Sequence, residues 1–319
     1  MKAVIYTKHG SPDVLEVQDV PKPSPKDDEV LIRVYGASIN ALEWRRFTSA
    51  LIVMRIVGAA LRQPKDKFLG VDLAGCVESV GATVKQFRVG DEVFGLRRGA
   101  FAEYVCAPED RLALKPTNLS FEAAAAVPLA ALTALQGIRD QGNIQPGQKV
   151  LINGAGGGVG TFAVQIAKSF GTDVTAVCST RNVDVARSIG ADHVIDYTKQ
   201  DFTKSRERYD LIIAANGYRP LLHYRRALKP NGTYVVLGGS MGQIVQGMLL
   251  APVLSWFGNK KMRGLMTNPN QKDLIFLKEL IEAGKIVPVI DKSYPLEKVV
   301  DAFKYLLEGH PRGKVVITT

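Results

Sequence analysis

The residues with the clearest chemistry stand in one run, Gly154-Ala155-Gly156-Gly157-Gly158-Val159-Gly160. It follows the apolar stretch Val150-Leu151-Ile152-Asn153 and precedes an amphipathic segment. The frame A-x-G-x-x-G fits at Ala155, Gly157 and Gly160. A dinucleotide pyrophosphate needs a backbone it can approach closely and free N–H groups at a helix start. Glycines supply the first, and the positive end of a helix supplies the second. Gly156, Gly157, Gly158, Val159 and Gly160 are therefore the candidate pyrophosphate contacts. A glycine-rich turn alone is weak evidence, but a strand before it and a helix after it are the context required.

The next apolar stretch ends at Val177-Cys178-Ser179-Thr180-Arg181-Asn182. An NAD site wants Asp or Glu about here to bind the ribose 2′-OH. This chain offers hydroxyls and a guanidinium instead, with no acidic neighbour expected to compete. A guanidinium grips a phosphate through a fork of N–H donors. Ser179, Thr180 and Arg181 thus favour NADP(H). The alternative is that Arg181 is only the solvated first turn of a helix.

Other chemistry is sparse. His9, His193, His223 and His310 are isolated and share no ligand spacing. Cys76, Cys106 and Cys178 sit far apart, with no C-x-x-C pair, so neither a metal cluster nor a disulfide framework is expected. That composition favours a reduced, cytoplasmic setting. The net charge of +10 is spread along 319 residues, and no Lys/Arg block alternates with aromatics. Specific nucleic-acid binding is not expected. Two runs, 47–61 and 244–257, are unusually apolar. Both fall short of the ~20 residues a membrane-crossing helix needs. They read as buried or pocket-lining helix, with weak contact to a membrane surface as the alternative.

These residues need elements to position them. Up to Pro116 the chain reads as β-rich, with strand-like pieces at 2–6, 30–35, 73–80, 89–95, 100–107 and 110–114. Ser120 is placed to cap a helix over 121–126. From Lys149 strands and helices alternate. The strands are expected at 150–153, 173–178, 194–195, 211–214, 233–237 and 262–265. The helices are expected at 159–170, 182–189, 220–228, 244–257 and 271–283. That alternation implies a doubly wound parallel sheet. A strand at 287–290, a helix at 297–307 and a strand at 314–318 follow. The fold class is α/β, with a β-rich domain over 1–118 and 288–319 and a Rossmann domain over 119–287.

Further motifs carry a family likeness: Gly70-Val71-Asp72-Leu73-Ala74-Gly75, Val89-Gly90-Asp91-Glu92-Val93-Phe94-Gly95, and Ala123-Ala124-Ala125 with Pro128 to Leu135. The glycine-rich turn, Gly190-Ala191-Asp192-His193-Val194-Ile195-Asp196-Tyr197 and Arg312-Gly313-Lys314-Val315-Val316-Ile317 add to it. Together they resemble the medium-chain dehydrogenase/reductases, in their zinc-free quinone-oxidoreductase group, over nearly the whole chain. The resemblance implies a GroES-like catalytic domain beside the Rossmann domain. It implies that Asn40 and Thr133 lie near a nicotinamide, with the backbone at Leu237 and Gly238 beside it. It implies that Tyr197 reaches the adenosine phosphate and makes Lys314 a further cofactor candidate. The plainer readings are Asn40 as a turn residue, Thr133 bonding back to its own helix, Tyr197 as a surface aromatic and Lys314 as an edge-strand charge.

Zinc-dependent relatives carry Gly-His-Glu where this chain has Gly70-Val71-Asp72, and a Cys where Ala37 to Asn40 stands. The resemblance thus implies no metal. Without a Lewis acid, the simplest chemistry is hydride delivery from NADPH to an already electrophilic acceptor. The expected function is reduction of a small hydrophobic quinone or α,β-unsaturated carbonyl, by a monomer or homodimer. The rival is an NADPH-binding interaction protein, at a membrane surface or on RNA, with vestigial catalysis. Tyr35, Trp44 and Asp72 are the nearest acid candidates by motif, although water can protonate an enolate. The segment 44–67 is expected to cover the substrate cleft as an apolar lid.

Overall fold

The computed structural model describes residues 1–48, 67–256, 258–309 and 311–319. The apolar run and lid expected around 44–67 lie outside these residues from position 49 on, as does His310. The chain divides into two compact units. The first holds 1–129, 269–282 and 290–319, and the second holds 130–268 and 283–289.

The first unit opens with β1 (Lys2–Tyr6) and β2 (Leu15–Asp19), an antiparallel pair. Then come β3 (Glu29–Ile39), α1 (Ala41–Thr48), β4 (Asp72–Val80), β5 (Glu92–Leu96), β6 (Tyr104–Pro108), β7 (Leu112–Leu114) and α2 (Phe121–Ala125). Helix α3 (Pro128–Leu135) begins here, and the division falls after Leu129. The second unit contains β8 (Lys149–Asn153), α4 (Gly158–Ser169), β9 (Asp173–Cys178), α5 (Val183–Ser188), β10 (His193–Asp196), β11 (Tyr209–Ala214), α6 (Leu221–Ala227), β12 (Leu228–Val236), α7 (Met241–Ser255) and β13 (Lys261–Gly264). Helix α8 (Gln271–Glu282), β14 (Ile290–Pro295), α9 (Val299–Leu307) and β15 (Lys314–Thr318) return to the first.

In the first unit β14, β15, β3, β4, β5 and β7 lie in that order, with β6 added to β3. Strand β3 is flanked by β4, β6 and β15 along different stretches. Most of its residues are accordingly buried. Phe303 on α9 meets Phe47 and Phe101 edge-on, at 5.2 and 6.1 Å between ring centres. Such pairs add ~0.5–1.5 kcal/mol beyond burial. Ser120 caps α2, its hydroxyl accepting from the Ala123 N–H at 3.2 Å.

The second unit is a six-stranded sheet ordered β10-β9-β8-β11-β12-β13, parallel throughout. Its order reverses between β8 and β11, so their ends at Asn153 and Ala214 flank the switch point where such sheets bind ligands. Val150, Leu151 and Ile152 are fully buried, as a central strand covered on both faces requires.

Two readings at β14 and β15 fail. The strand placed at 287–290 begins only at Ile290. The backbone of Val287 is taken instead by the amide of Gln165, which accepts from its N–H at 2.8 Å and donates to its carbonyl at 3.0 Å. Lys314 is no edge-strand charge, because β15 has β14 on one side and β3 on the other, and Lys314 is buried. Helix α1 and strand β2 have no counterpart among the sequence expectations, and α3 is a helix there only in the plainer reading of Thr133.

All three cysteines are free. Burial pushes the thiols of Cys106 and Cys178 up to about 11, and raises that of Cys76 as well. Among the described residues no helix is long and apolar enough to cross a membrane.

Strand β4 lies tight against β3 at Gly75, where an added Cβ would lie 2.1 Å from the Arg33 carbonyl oxygen. Gly75→Ala is expected to cost ~1–3 kcal/mol, the usual cost of overpacking. Urea denaturation checks this, and an unchanged midpoint at unchanged slope would show that the sheet yields at this point.

Candidate functional site

The glycine-rich turn is tied down from both sides. The N–H groups of Gly154 and Ala155 both donate to the Val177 carbonyl at 3.0 Å, so the turn is fixed to the end of β9. Gly154 has φ +86°, which favours glycine. At Gly160 a Cβ would lie 2.1 Å from the Gly154 oxygen, so only glycine lets α4 seat so closely. Gly156 lies against Asn182, whose amide nitrogen would stand 2.3 Å from a Cβ. Gly157 differs. It precedes the first turn of α4, and a Cβ there would meet only the Gly154 oxygen, at 3.8 Å. The turn is thus packed behind and open in front of the helix N-terminus, which fits a pyrophosphate.

The parallel pairing of β9 and β10 sets Asp196 opposite Cys178. This brings in an acidic neighbour that the run 177–182 did not show. The Thr180 hydroxyl donates to the Asp196 carboxylate at 2.6 Å. That bond, with others from Thr198, holds the Asp196 carboxyl below its ordinary range. Arg181 is exposed. Tyr197 is about half-exposed, and its N–H donates to the Cys178 carbonyl at 3.0 Å, so it stays beside the end of β9. Ser179 lies one residue past β9, its side-chain oxygen accepting from the Asn182 amide at 3.3 Å.

Thr133 on α3 is 8% exposed, with its hydroxyl 2.9 Å from that of Thr267. One turn further on, the Gln136 amide exchanges two bonds with the backbone of Asn268, at 2.8 and 2.9 Å. After Leu135 the helix widens into a π-turn over Gln136–Gln141. Leu237 and Gly238 follow β12, and the Leu237 N–H donates to the Ala214 carbonyl at 2.9 Å.

The first unit holds a second cluster. Asn40 sits between β3 and α1, in the N-cap position. Its backbone N–H donates to Glu43 Oε2 at 2.8 Å, half of a capping box. Its amide does not cap. Nδ2 donates to Asp72 Oδ2 at 2.9 Å, and Oδ1 accepts from Lys314 Nζ at 2.6 Å. Asp72 Oδ2 also accepts from Ser38 Oγ at 2.7 Å and lies 3.3 Å from Lys314 Nζ. Its Oδ1 accepts from the Leu129 N–H at 2.8 Å. Asp72 is fully buried, so it is not placed to protonate a substrate. Sequence reasoning missed Glu43 and Ser38. The spacing Asn40-x-x-Glu43 is the signal that would have found Glu43.

Val71 helps to line an open hollow of about 1160 Å³ in the first unit, with apolar residues such as Leu42, Phe68 and Leu96 and charged ones such as Glu29, Arg97 and Arg111. Among the described residues no group of three or more His, Cys, Asp or Glu is placed to hold a metal ion.

Burial, and then the Asp72 charge, push the Glu43 carboxyl up from 4.5 to about 7. The folded chain therefore holds a proton that the unfolded chain has released between those values. Stability should fall as pH rises from about 4.5 to about 7, by up to ~3 kcal/mol, and then stay level. Glu43→Gln should remove that loss, and denaturant titrations of both proteins on either side of the window check it.

Residues 26–117 match the alcohol dehydrogenase GroES-like domain, and residues 189–317 match the zinc-binding dehydrogenase model. The chain is 36% identical over 332 residues to a 2-methylene-furan-3-one reductase of Solanum lycopersicum, spanning 99% of this chain and 79% of that one. It is 33% identical to a chloroplastic NADPH-dependent alkenal/one oxidoreductase of Arabidopsis thaliana, with the same coverage. The solved quinone oxidoreductase from Coxiella burnetii superposes with a TM-score of 0.86 at 30% identity, over 100% of this chain and 99% of its own. With a GroES-like domain, a parallel dinucleotide-type sheet and relatives along its full length, the chain belongs to the medium-chain dehydrogenase/reductase family, in its quinone-oxidoreductase-like group.

Proposed function

We propose that the protein reduces quinones or α,β-unsaturated carbonyls with NADPH and without zinc. The observation that carries this is the open N-terminus of α4 at Gly157, seated on the strand beside the sheet's switch point. The names of the tomato and Arabidopsis relatives support an activated alkene as substrate and NADPH as reductant. When bound, NADPH supplies the hydride.

In this reading the backbone N–H groups of the turn and of the start of α4, at Gly156, Gly157, Gly158, Val159 and Gly160, hold the pyrophosphate. Ser179, Thr180, Arg181 and Tyr197 hold the 2′-phosphate, and Thr180 must turn from Asp196 to do so. Asn40, Thr133, Leu237 and Gly238 are the nicotinamide contacts, and Lys314 is a further cofactor candidate. Zinc does not fit the residues present. Val71 offers no donor, and both oxygens of Asp72 are committed to Ser38, Asn40, Lys314 and Leu129. The relatives' names support a small electrophilic substrate, and the apolar part of the mixed hollow, at Leu42, Phe68, Val71 and Leu96, suits a hydrophobic one. A monomer or homodimer in a reducing compartment such as the cytoplasm completes the proposal, and the free cysteines support the compartment.

Turnover decides it. NADPH oxidation with quinones, enals and enones is expected to exceed oxidation of saturated alcohols with NADP by far, in protein that elemental analysis finds free of stoichiometric zinc. Efficient oxidation of a saturated primary alcohol would sink the proposal. Silence across the whole panel would favour an NADPH-binding interaction protein.

Cofactor preference gives a second test. A hydrogen bond to a charged group is worth ~1.5–3 kcal/mol. Arg181→Ala should therefore weaken NADPH binding ~10- to 150-fold and leave NADH binding nearly unchanged. Equal weakening of both would assign Arg181 to the fold.

A further inference from the structure

Among the described residues, the cluster around Asn40 contains one more carboxyl than its ammonium can balance. Glu43 and Asp72 are 1% and 0% exposed, and Lys314, also buried, is 3% exposed. A second uncompensated anion at such depth is strongly disfavoured, so the cluster holds a proton. The hydrogen bonds say where. Asp72 accepts from Ser38, Asn40, Lys314 and the Leu129 N–H, a set that satisfies a full anion. Glu43 Oε2 accepts from the Asn40 N–H, while its buried Oε1 has no partner among the described residues.

We propose that Glu43 is a proton-holding positioning residue: while neutral, it leaves Lys314 to Asp72 and Asn40 alone and so fixes the orientation of the Asn40 amide. This rests on the reading that Asn40 meets the nicotinamide end of the cofactor. Asn40 cannot reverse its amide without setting Nδ2 against the Lys314 ammonium and Oδ1 against the Asp72 carboxylate. Ionised Glu43 adds a second anion, and among the described residues the charged groups acting on it are Asp72 on β4 and Lys314 on β15. Its own helix also carries Arg45 and Arg46. The new charge draws Lys314 away from Asn40 Oδ1 and releases the amide. Glu43 is too deeply buried to touch substrate itself, so it acts through Asn40.

The expected sign is loss of kcat as pH rises through neutrality, by about tenfold per unit once Glu43 ionises. Glu43→Gln keeps a neutral acceptor for the Asn40 N–H and cannot ionise, so its profile should lack that alkaline limb. A merely structural role would lower the whole profile and leave the limb in place. A limb that survives Glu43→Gln unchanged overturns the proposal.

A second measurement needs neither substrate nor a folded variant. Infrared difference spectra of the wild type between about pH 5 and about pH 9 should show a protonated-carboxyl band lost near neutrality. Absence of that band overturns the proposal whatever the turnover assay shows. If the band is present and the acceptor panel is silent, the assignment of function fails while the charge state of Glu43 stands.

Discussion

One buried carboxylate organises the first unit. Asp72 draws Ser38 and Asn40 from the end of β3, Lys314 from β15 and the N–H of Leu129 at the start of α3 to a single point. An anion without water must be met by donors on every side. That requirement, more than apolar packing, fixes how the ends of these elements converge. It also explains why Asn40 leaves the capping of α1 to Glu43, since its own amide is spent bridging Asp72 and Lys314. The cluster has little freedom, because moving any member exposes the charge of another.

The second unit solves a different problem with no charge at all. Its glycine turn brings backbone against backbone at Gly154 and Gly160, which places the first turn of α4 directly after β8. At Gly157 an added Cβ would meet only the Gly154 oxygen, at 3.8 Å. A helix end with unpaired N–H groups and free space before it binds anions through fixed dipoles. The two units thus offer complementary chemistry, oriented dipoles in one and a paired ammonium in the other.

The parallel sheet was legible because its strands are apolar runs separated by amphipathic helices, and β9 was placed at its true bounds. The glycine turn was legible because its chemistry is local. Helix α3 was not, since Pro128-Leu129-Ala130-Ala131-Leu132-Thr133-Ala134-Leu135 is apolar almost all round and shows no period. The partners of Asp72 lie 34, 32, 242 and 57 residues away, a convergence that no window along the chain displays. The bond between Thr180 and Asp196 was hidden for the same reason, because β9 and β10 bring together residues 16 apart. The 2′-phosphate reading of that run therefore rests on Arg181 and Ser179 more than on Thr180.

The proposed substrates are soft electrophiles, and such molecules alkylate thiolates. A protein that binds them at every turnover is exposed to its own reactants. Cys106 and Cys178 are buried, and their thiols are pushed up to about 11, so at neutral pH the nucleophilic form is scarce and out of reach. Cys76 is less covered, but its thiol too is raised, by burial and by the charges of Glu92 and Asp91. The chain thus carries its sulfur in a form that resists covalent self-inactivation, a durability that has nothing to do with folding strength.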